Sequence, residues 1–227
     1  MVTACLVDVY DTILNSDFGP RLQALTALIG VEPATWAAEW FKTGTERGRG
    51  KLSMADSFAR TLRACGIAPS GALVDSLVSK DAELLRDGSH LYDDSAEFLG
   101  KLRSRGIGIA LVSNCSQSTR QMLEHLGVIA LTDAAILSCE VGSLKPSPEI
   151  YLDALEALGA APADAVMVDD QARFCTGAEA VGVRAIQISR DDPIAPDGPG
   201  DHGSPGGQPP DPGFPVVRTL LGALRLL

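Results

Sequence analysis

The stretch Ala4-Cys5-Leu6-Val7-Asp8, continued by Val9-Tyr10-Asp11-Thr12, decides the fold of this chain. Ala4 to Val7 are all apolar, which is typical of a short strand that is buried on both faces of a sheet. Such a strand delivers Asp8 to its carboxyl end, where open parallel sheets place their chemistry. An aspartate can also serve there as a turn or helix cap. The function of Asp8 therefore depends on what the rest of the chain brings to it.

The segment from residue 15 to residue 88 has a different character from the first strand. Its apolar residues recur at helical spacing, as in Leu22, Leu25 and Leu28, and glycines such as Gly30 divide the pattern. The segment therefore predicts several helices. We expect a helical insert between the first strand and the rest of the sheet.

From Tyr92 onward, helical and strand patterns alternate. The expected strands cover residues 107–112, 135–137, 165–168 and 185–188, and helices of about ten residues separate them. This alternation predicts right-handed crossovers and a doubly wound parallel sheet, which is a Rossmann-like α/β core. Residues 1–14 and 89–227 would form this core domain, and residues 15–88 would form the second domain.

The last part of the chain divides at residue 215. Residues 191–215 are dense in Pro, Gly and Asp, so we expect a mobile surface loop within the core domain. Residues 216–227 are apolar again, with leucines at helical spacing. They predict a terminal helix that docks on the sheet.

Polar side chains follow three of the predicted strands, and a lysine lies in a loop before a later helix. Because parallel strands end at one edge of a sheet, these side chains should converge there. Taken alone, the polar pair after the second strand could cap a helix, and the lysine could be solvated. The converging residues are Asp8, Ser113, Asn114, Lys145, Asp169 and Asp170.

Together these side chains suit the covalent hydrolysis of an anionic ester. Asp8 would attack, and Ser113, with backbone N–H groups at the start of the next helix, would hold the oxygens of the anion. Lys145 would balance the charge of nucleophile and substrate. Asp169 and Asp170 would join Asp8 in binding a hard divalent cation through oxygen ligands.

The order of these motifs resembles the haloacid dehalogenase-like hydrolase superfamily. The first motif is Asp8-Val9-Tyr10-Asp11-Thr12, the second ends in Ser113-Asn114, the third is Lys145-Pro146 and the fourth is Asp169-Asp170. The resemblance covers Leu6 to about Ile188 and the terminal helix. It implies that residues 15–88 form a cap domain that closes over the site and selects the substrate.

The resemblance also implies an activity and a cofactor. We expect a Mg²⁺-dependent phosphatase that acts on a small phosphorylated metabolite through an aspartyl-phosphate at Asp8. Asp8, the backbone carbonyl of Tyr10, Asp169 and Asp170 would hold the metal. Ser113, Asn114 and Lys145 would complete the catalytic residues.

Tyr10 departs from the phosphatase pattern, which has a second aspartate at this position to protonate the leaving oxygen. The phenol of tyrosine has a pKa of about 10 and is a poor substitute for a carboxylic acid at neutral pH. A tyrosine here resembles the 2-haloacid dehalogenases, in which the acid is dispensable because a halide leaves without a proton. Those enzymes need no cation, because their carboxylate substrate carries less charge than a phosphate. Two alternatives therefore remain: a metal-independent dehalogenase, and a catalytically weak protein that binds an anion or a partner.

Composition narrows the class of protein. A formal charge of −10 and the absence of a basic stripe argue against nucleic acid as a partner. No apolar run is long enough to cross a membrane, and no secretory leader is recognisable, so we expect a cytoplasmic globular protein. The sequence leaves the oligomeric state open.

The five cysteines are scattered and include no CxxC pair. This pattern argues against a disulfide framework and against a zinc site, so most of them should be small core residues. Cys115 lies beside the second motif and is a candidate for oxidation, although no neighbour in the sequence lowers its pKa.

Overall fold

The computed structural model describes residues 1–190 and 213–227. The strands are β1 (Ala4–Val7), β2 (Leu14–Ser16), β3 (Ser89–Leu91), β4 (Gly108–Ser113), β5 (Ala134–Leu137), β6 (Ala165–Asp169), β7 (Arg184–Ile188) and β8 (Val216–Val217). The helices are α1 (Phe18–Ile29), α2 (Pro33–Lys42), α3 (Gly44–Gly48), α4 (Met54–Ala64), α5 (Gly71–Asp87), α6 (Ser95–Ser104), α7 (Thr119–His125), α8 (Ser138–Val141), α9 (Pro148–Leu158), α10 (Ala172–Ala180) and α11 (Leu220–Ala223). Residues Ile129–Leu131 and Pro162–Asp164 form 3-10 turns.

In the described residues, the main sheet has the strand order β5-β4-β1-β6-β7-β8, and every neighbouring pair is parallel. The chain builds the sheet outward from β1 through β4 to β5, and then returns to the other side of β1 through β6. The sequence prediction of a doubly wound parallel sheet is confirmed. The order reverses around β1, so the crevice at its carboxyl end is the switch point where ligands bind in such sheets.

Strand β1 is apolar at every position because helices cover both faces of the sheet. Cys5 and Val7 belong to one hydrophobic cluster, which also contains side chains of α6, α7 and α11. Ala4 and Leu6 belong to a second cluster, which contains side chains of α9 and α10. All four residues are fully buried. Alternate side chains of a strand point to opposite faces, so a central parallel strand must be apolar throughout.

Helices α1 to α5, residues 18–87, are called the helical segment below. Trp36, Trp40, Phe58 and Leu77 lie at the centre of its own hydrophobic cluster, and the rings of Trp40 and Phe58 are 4.7 Å apart. Strands β2 and β3 pair antiparallel where the chain enters and leaves the segment. This ribbon was not predicted, because three-residue strands leave no periodic signal. The division into two domains at residues 15 and 88 stays a prediction.

The carboxyl-terminal part differs from the predicted single helix over 216–227. Val216 and Val217 add strand β8 to the edge of β7, and the helix is confined to Leu220–Ala223. Thr219 caps the start of the helix, since its hydroxyl accepts the Gly222 N–H at 3.0 Å. The predicted loop over 191–215 falls, except for its last three residues, outside the described residues.

None of the helices in residues 1–190 and 213–227 combines the length and the hydrophobicity of a membrane span.

Candidate active site

Asp8 lies at the carboxyl end of the central strand β1. Its backbone N–H donates to the Val168 carbonyl at 2.9 Å, so the chain is still held to β6 at this residue. The residue is 5% exposed. The position that the sequence predicted for the nucleophile is therefore a buried one, and it is fixed by the sheet on which the fold is built.

The Lys145 ammonium joins Asp8 to Asp169. Nζ lies 2.5 Å from a carboxylate oxygen of Asp8 and 2.7 Å from one of Asp169, and the Lys145 and Asp169 side chains are fully buried. The other oxygen of Asp169 accepts the Gln171 N–H at 2.8 Å. The ammonium also lies 4.7 Å from the centre of the Phe174 ring, where a cation–π attraction adds to the ion pairs. The loop between α8 and α9 thus places Lys145 at the switch point.

Asn114 holds Lys145 through its backbone. The Asn114 amide oxygen accepts the Lys145 N–H at 2.7 Å, and its amide nitrogen donates to the Lys145 carbonyl at 3.0 Å. Two hydrogen bonds to one residue fix the direction in which the lysine leaves the loop. The sequence identified Asn114 as a candidate site residue, and the geometry gives it a positioning contact.

Ser113 is the last residue of β4 and is fully buried. Its hydroxyl lies 3.5 Å from the Asn114 carbonyl, which is the outer limit of a hydrogen bond. That contact is too long to fix the hydroxyl, which can therefore turn toward another acceptor. The predicted role of Ser113, binding the oxygens of an anion, stays a prediction.

Asp8, Asp169 and Asp170 form an acidic cluster. Carboxylate oxygens of the three residues lie within 4.8 Å of one another. Lys145 contacts the first two carboxylates, so these four side chains place one ammonium among three carboxylates. Burial and the charge of Asp8 raise the pKa of Asp169 to about 7, although Lys145 opposes the shift. Burial, followed by the charges of Asp169 and Asp8, also raises the pKa of Asp170.

The donor set of this cluster suits a hard divalent cation. All three ligands are carboxylates, and oxygen ligands are the ones that Mg²⁺ prefers. Such a cation would relieve the repulsion among three neighbouring negative groups. The residues that would hold it are Asp8, Asp169 and Asp170. The family resemblance also implies the backbone carbonyl of Tyr10 as a ligand, and this stays a prediction.

Tyr10 and Asp11 follow the nucleophile position in an irregular turn. The Tyr10 hydroxyl lies 2.8 Å from the Thr119 hydroxyl at the start of α7. Asp11 adopts a positive φ of 58°, which is uncommon for a residue with a side chain. Burial, and then the charge of Asp8, raises the pKa of Asp11 to about 6. The tyrosine that departs from the phosphatase pattern is thus tied by its hydroxyl to the core.

The helical segment contacts the loops that carry the second and third motifs. The Gln117 side chain accepts the Met54 N–H at 3.0 Å. A Cβ atom added at Gly50 would lie 2.1 Å from the Cys139 carbonyl, so the two backbones touch. Two cavities of about 440 and 510 Å³ lie between α5 and α7, and Asp8, Lys145 and Asp169 line neither of them. These three residues are at most 5% exposed.

Phe174 and Gln171 are site neighbours that the sequence analysis did not identify. Both follow the acidic pair, where a hydrophobic residue and an amide carry no chemical signal of their own. Gly177 lies in the following helix, α10. Its absent side chain lets α10 approach the loop of Lys145, since an added Cβ would lie 2.7 Å from the Pro146 Cβ and 2.8 Å from the Tyr151 hydroxyl.

Replacing Gly177 with alanine should therefore destabilise the protein by about 1–3 kcal/mol, because overpacking forces Pro146 or Tyr151 to shift. The matched control is Gly100→Ala, also inside a helix, where no atom lies within 4 Å of the added Cβ. That variant should be neutral or more stable by about 0.5–1 kcal/mol, since alanine favours a helix. Urea unfolding of both variants measures the difference. Equal effects would show that the close packing at Gly177 is unimportant.

The chain is similar to known proteins both in sequence and in fold. The sequence model of the haloacid dehalogenase-like hydrolases matches residues 2–182. The phosphoserine phosphatase of Thermus thermophilus is 36% identical over 102 residues, which are 44% of this chain and 41% of that protein. The chain thus matches less than half the length of this relative.

Two further proteins match over most of the chain. The (S)-2-haloacid dehalogenase 4A of Burkholderia cepacia is 26% identical over 198 residues, which are 82% of this chain and 83% of that enzyme. The crystal structure of a HAD phosphatase from Thermococcus onnurineus superposes with a TM-score of 0.66 at 21% identity, covering 99% of this chain and 97% of that one. At this identity the structural match concerns the fold.

Proposed function

The chain belongs to the haloacid dehalogenase-like hydrolases, and on that basis we propose that it is a Mg²⁺-dependent phosphatase. Its substrate would be a small phosphorylated metabolite, and its reaction would pass through an aspartyl-phosphate at Asp8. The sequence predicted the family, and the match over residues 2–182 confirms it. The proposal of a Mg²⁺-dependent phosphatase rests on the acidic cluster of Asp8, Asp169 and Asp170.

The observation that carries the proposal is the charge at the switch point. Asp8, Asp169 and Asp170 place three carboxylates within 4.8 Å, and one ammonium, that of Lys145, contacts two of them. A dianionic phosphate ester would meet strong repulsion there unless a cation joined the site. A halogenated carboxylate carries one negative charge and needs less compensation. The retained acidic pair therefore favours a metal and a phosphoryl substrate.

Each residue of the site has a defined role in the proposed reaction. A carboxylate oxygen of Asp8 attacks phosphorus, so that the Asp8–phosphate bond forms and the bond to the ester oxygen breaks. Lys145 stabilises the negative charge around Asp8, and Asn114 positions Lys145 through its backbone. The Ser113 hydroxyl donates to a phosphoryl oxygen. When bound, Mg²⁺ would neutralise charge on the phosphoryl group.

The proton balance follows from Tyr10. Its hydroxyl is held by Thr119 and its ordinary pKa is about 10, so the leaving oxygen takes its proton from water. In the second step a water molecule attacks phosphorus, the bond to Asp8 breaks, and inorganic phosphate is released. This route works best when the leaving oxygen is stable as an anion. We therefore expect an aryl phosphate to react faster than an alkyl phosphate.

A second candidate function is the hydrolysis of 2-haloacids, which Tyr10 favours. In that reaction Asp8 attacks carbon, a halide leaves without a proton, and the missing acid has no consequence. The dehalogenase relative matches 82% of this chain, against 44% for the phosphoserine phosphatase. The acidic cluster argues against this candidate, because a halide-displacement site that needs no metal has no use for the carboxylates of Asp169 and Asp170 beside Asp8.

The distinguishing experiment is an assay of the purified protein on para-nitrophenyl phosphate, on an alkyl phosphate and on 2-chloropropionate. We expect phosphate release with Mg²⁺ and its loss in EDTA, with the aryl phosphate as the better substrate. Chloride release in EDTA, without phosphate release in Mg²⁺, would establish the dehalogenase instead. Both conditions are measured on the same protein preparation, so a difference between Mg²⁺ and EDTA reports the effect of the metal alone.

A further inference from the structure

Cys115 and Cys139 lie side by side at the edge of the candidate active site. Their sulfur atoms are 3.9 Å apart. The sheet explains the proximity, since Ser113 on β4 pairs with Leu137 on β5, and each cysteine lies two residues beyond its paired residue. Neighbouring strands are about 4.8 Å apart, which is within the Cα spacing that disulfides span. The sulfur atoms need to approach by about 2 Å to reach bonding distance.

The surroundings give the two thiols different properties. Cys115 is 1% exposed, whereas Cys139 is half-buried at the start of α8. The hydrogen bond with the Cys115 thiol lowers the pKa of Cys139, and the positive charge of Arg120 acts in the same direction. Thiolates rather than thiols react with oxidants. Cys139 is thus the more reactive partner, and Cys115 is placed to resolve its oxidised form.

We propose that Cys115 and Cys139 form an oxidisable dithiol that closes into an intramolecular disulfide when the protein meets hydrogen peroxide. The Cys139 thiolate attacks the peroxide, so that an S–O bond forms, the O–O bond breaks and hydroxide leaves to become water. The Cys115 sulfur then attacks the Cys139 sulfur. The S–S bond forms, the S–O bond breaks, and hydroxide leaves as water with the proton of Cys115. Two thiols and one peroxide thereby give one disulfide and two water molecules.

The disulfide would affect the position of Lys145 in the active site through Asn114. Cys115 follows Asn114, whose amide makes both hydrogen bonds to the Lys145 backbone. The Ser138 hydroxyl, which accepts the Cys115 N–H at 2.9 Å, ties the same loop to α8. On the other side, the Cys139 carbonyl touches Gly50 of the helical segment. A shift of this loop by about 1 Å would misplace Lys145, and errors of that size can lower rates by about 100-fold.

Peptide mapping tests the disulfide without any assay of activity. Trypsin leaves Cys115 in peptide 106–120 and Cys139 in peptide 121–173, and neither peptide holds a second cysteine. After treatment of the full-length protein with hydrogen peroxide, the two peptides should be recovered cross-linked, and dithiothreitol should separate them. Cys65→Ser is the matched control, because Cys65 is also half-buried and lies in the helical segment. This variant should form the same cross-link.

Three results would overturn the proposal. These are a sulfinic acid at Cys139 while Cys115 remains a thiol, a disulfide between two molecules, and the survival of both thiols in peroxide that oxidises Cys65. The Cys139→Ser variant must also lose the cross-link.

The effect on turnover rests on the proposed function, so it is measured separately. We expect peroxide to lower phosphate release by roughly 10- to 100-fold in the wild type, reversibly with dithiothreitol, and not in Cys139→Ser. A protein without phosphatase activity would contradict the proposed function while the cross-link still tested the dithiol. A cross-linked protein with undiminished turnover would refute the coupling of the dithiol to the site.

Discussion

The Asp8→Asn variant is expected to lose phosphatase activity by about 10³-fold or more, because an amide cannot replace the attacking carboxylate. The substitution keeps the size of the side chain, and the amide oxygen can still accept a hydrogen bond from Lys145. It also removes one of three neighbouring negative charges. The melting temperature should therefore stay the same or rise, since repulsion within the acidic cluster decreases.

Two measurements check this expectation together. Initial rates on para-nitrophenyl phosphate in Mg²⁺ report the chemistry, and thermal unfolding reports the fold. Asp75→Asn is the matched control, since Asp75 is exposed on α5 and the same chemical change there should leave both values unaltered. An Asp8→Asn protein that retains activity would exclude Asp8 as the nucleophile. A strongly destabilised variant would show that the Asp8 charge is needed for folding.

The Lys145→Met variant should have the largest effect on stability. Lys145 contacts two carboxylates, and its side chain is completely buried, with 0% exposure to solvent. Removing one partner from a buried ion pair costs about 3–5 kcal/mol, because the remaining charges stay buried without compensation. Activity should fall as well. Urea unfolding in EDTA measures the loss of stability without a bound metal that could replace the ammonium.

Two further variants separate this electrostatic loss from a loss of packing. The matched control is Lys101→Met, which removes an exposed lysine 2.5 Å from Glu97 and should change the stability by at most about 1 kcal/mol. Adding Asp169→Asn to Lys145→Met should restore part of the stability, because one uncompensated charge is removed. If the double variant were as unstable as the single one, charge would not be the cause of the defect.

The sequence could predict the parallel core because its central strands β1, β4 and β6 are buried on both faces. Ala4 to Val7 are apolar without alternation, and that pattern has few explanations other than a central parallel strand. Because helices of about ten residues separate these strands, the sequence predicted a doubly wound parallel sheet. The short elements could not be predicted, since the pairings of β2 with β3 and of β8 with β7 depend on tertiary contacts.

The site was predictable to the extent that it lies at strand ends. Asp8 and Asp169 end neighbouring strands, so the sheet alone brings them together. The hold of Asn114 on the Lys145 backbone could not be read from the sequence, because it joins two loops 31 residues apart. The neighbouring positions of Cys115 and Cys139 depend in the same way on the register of β4 and β5. The two cysteines are 24 residues apart in the sequence, and the pairing of β4 with β5 brings them together.

The most direct test of the proposed function is to trap the phosphate on Asp8. The protein is mixed with para-nitrophenyl phosphate and Mg²⁺, quenched in acid during turnover and reduced with borohydride, which converts an acyl phosphate into an alcohol. Trypsin then releases residues 1–21, which contain Asp8. Mass spectrometry should find position 8 as homoserine. Turnover in the same sample with an unmodified Asp8, or with the reduced residue at Asp11 or Asp17, would contradict a covalent aspartyl-phosphate at Asp8.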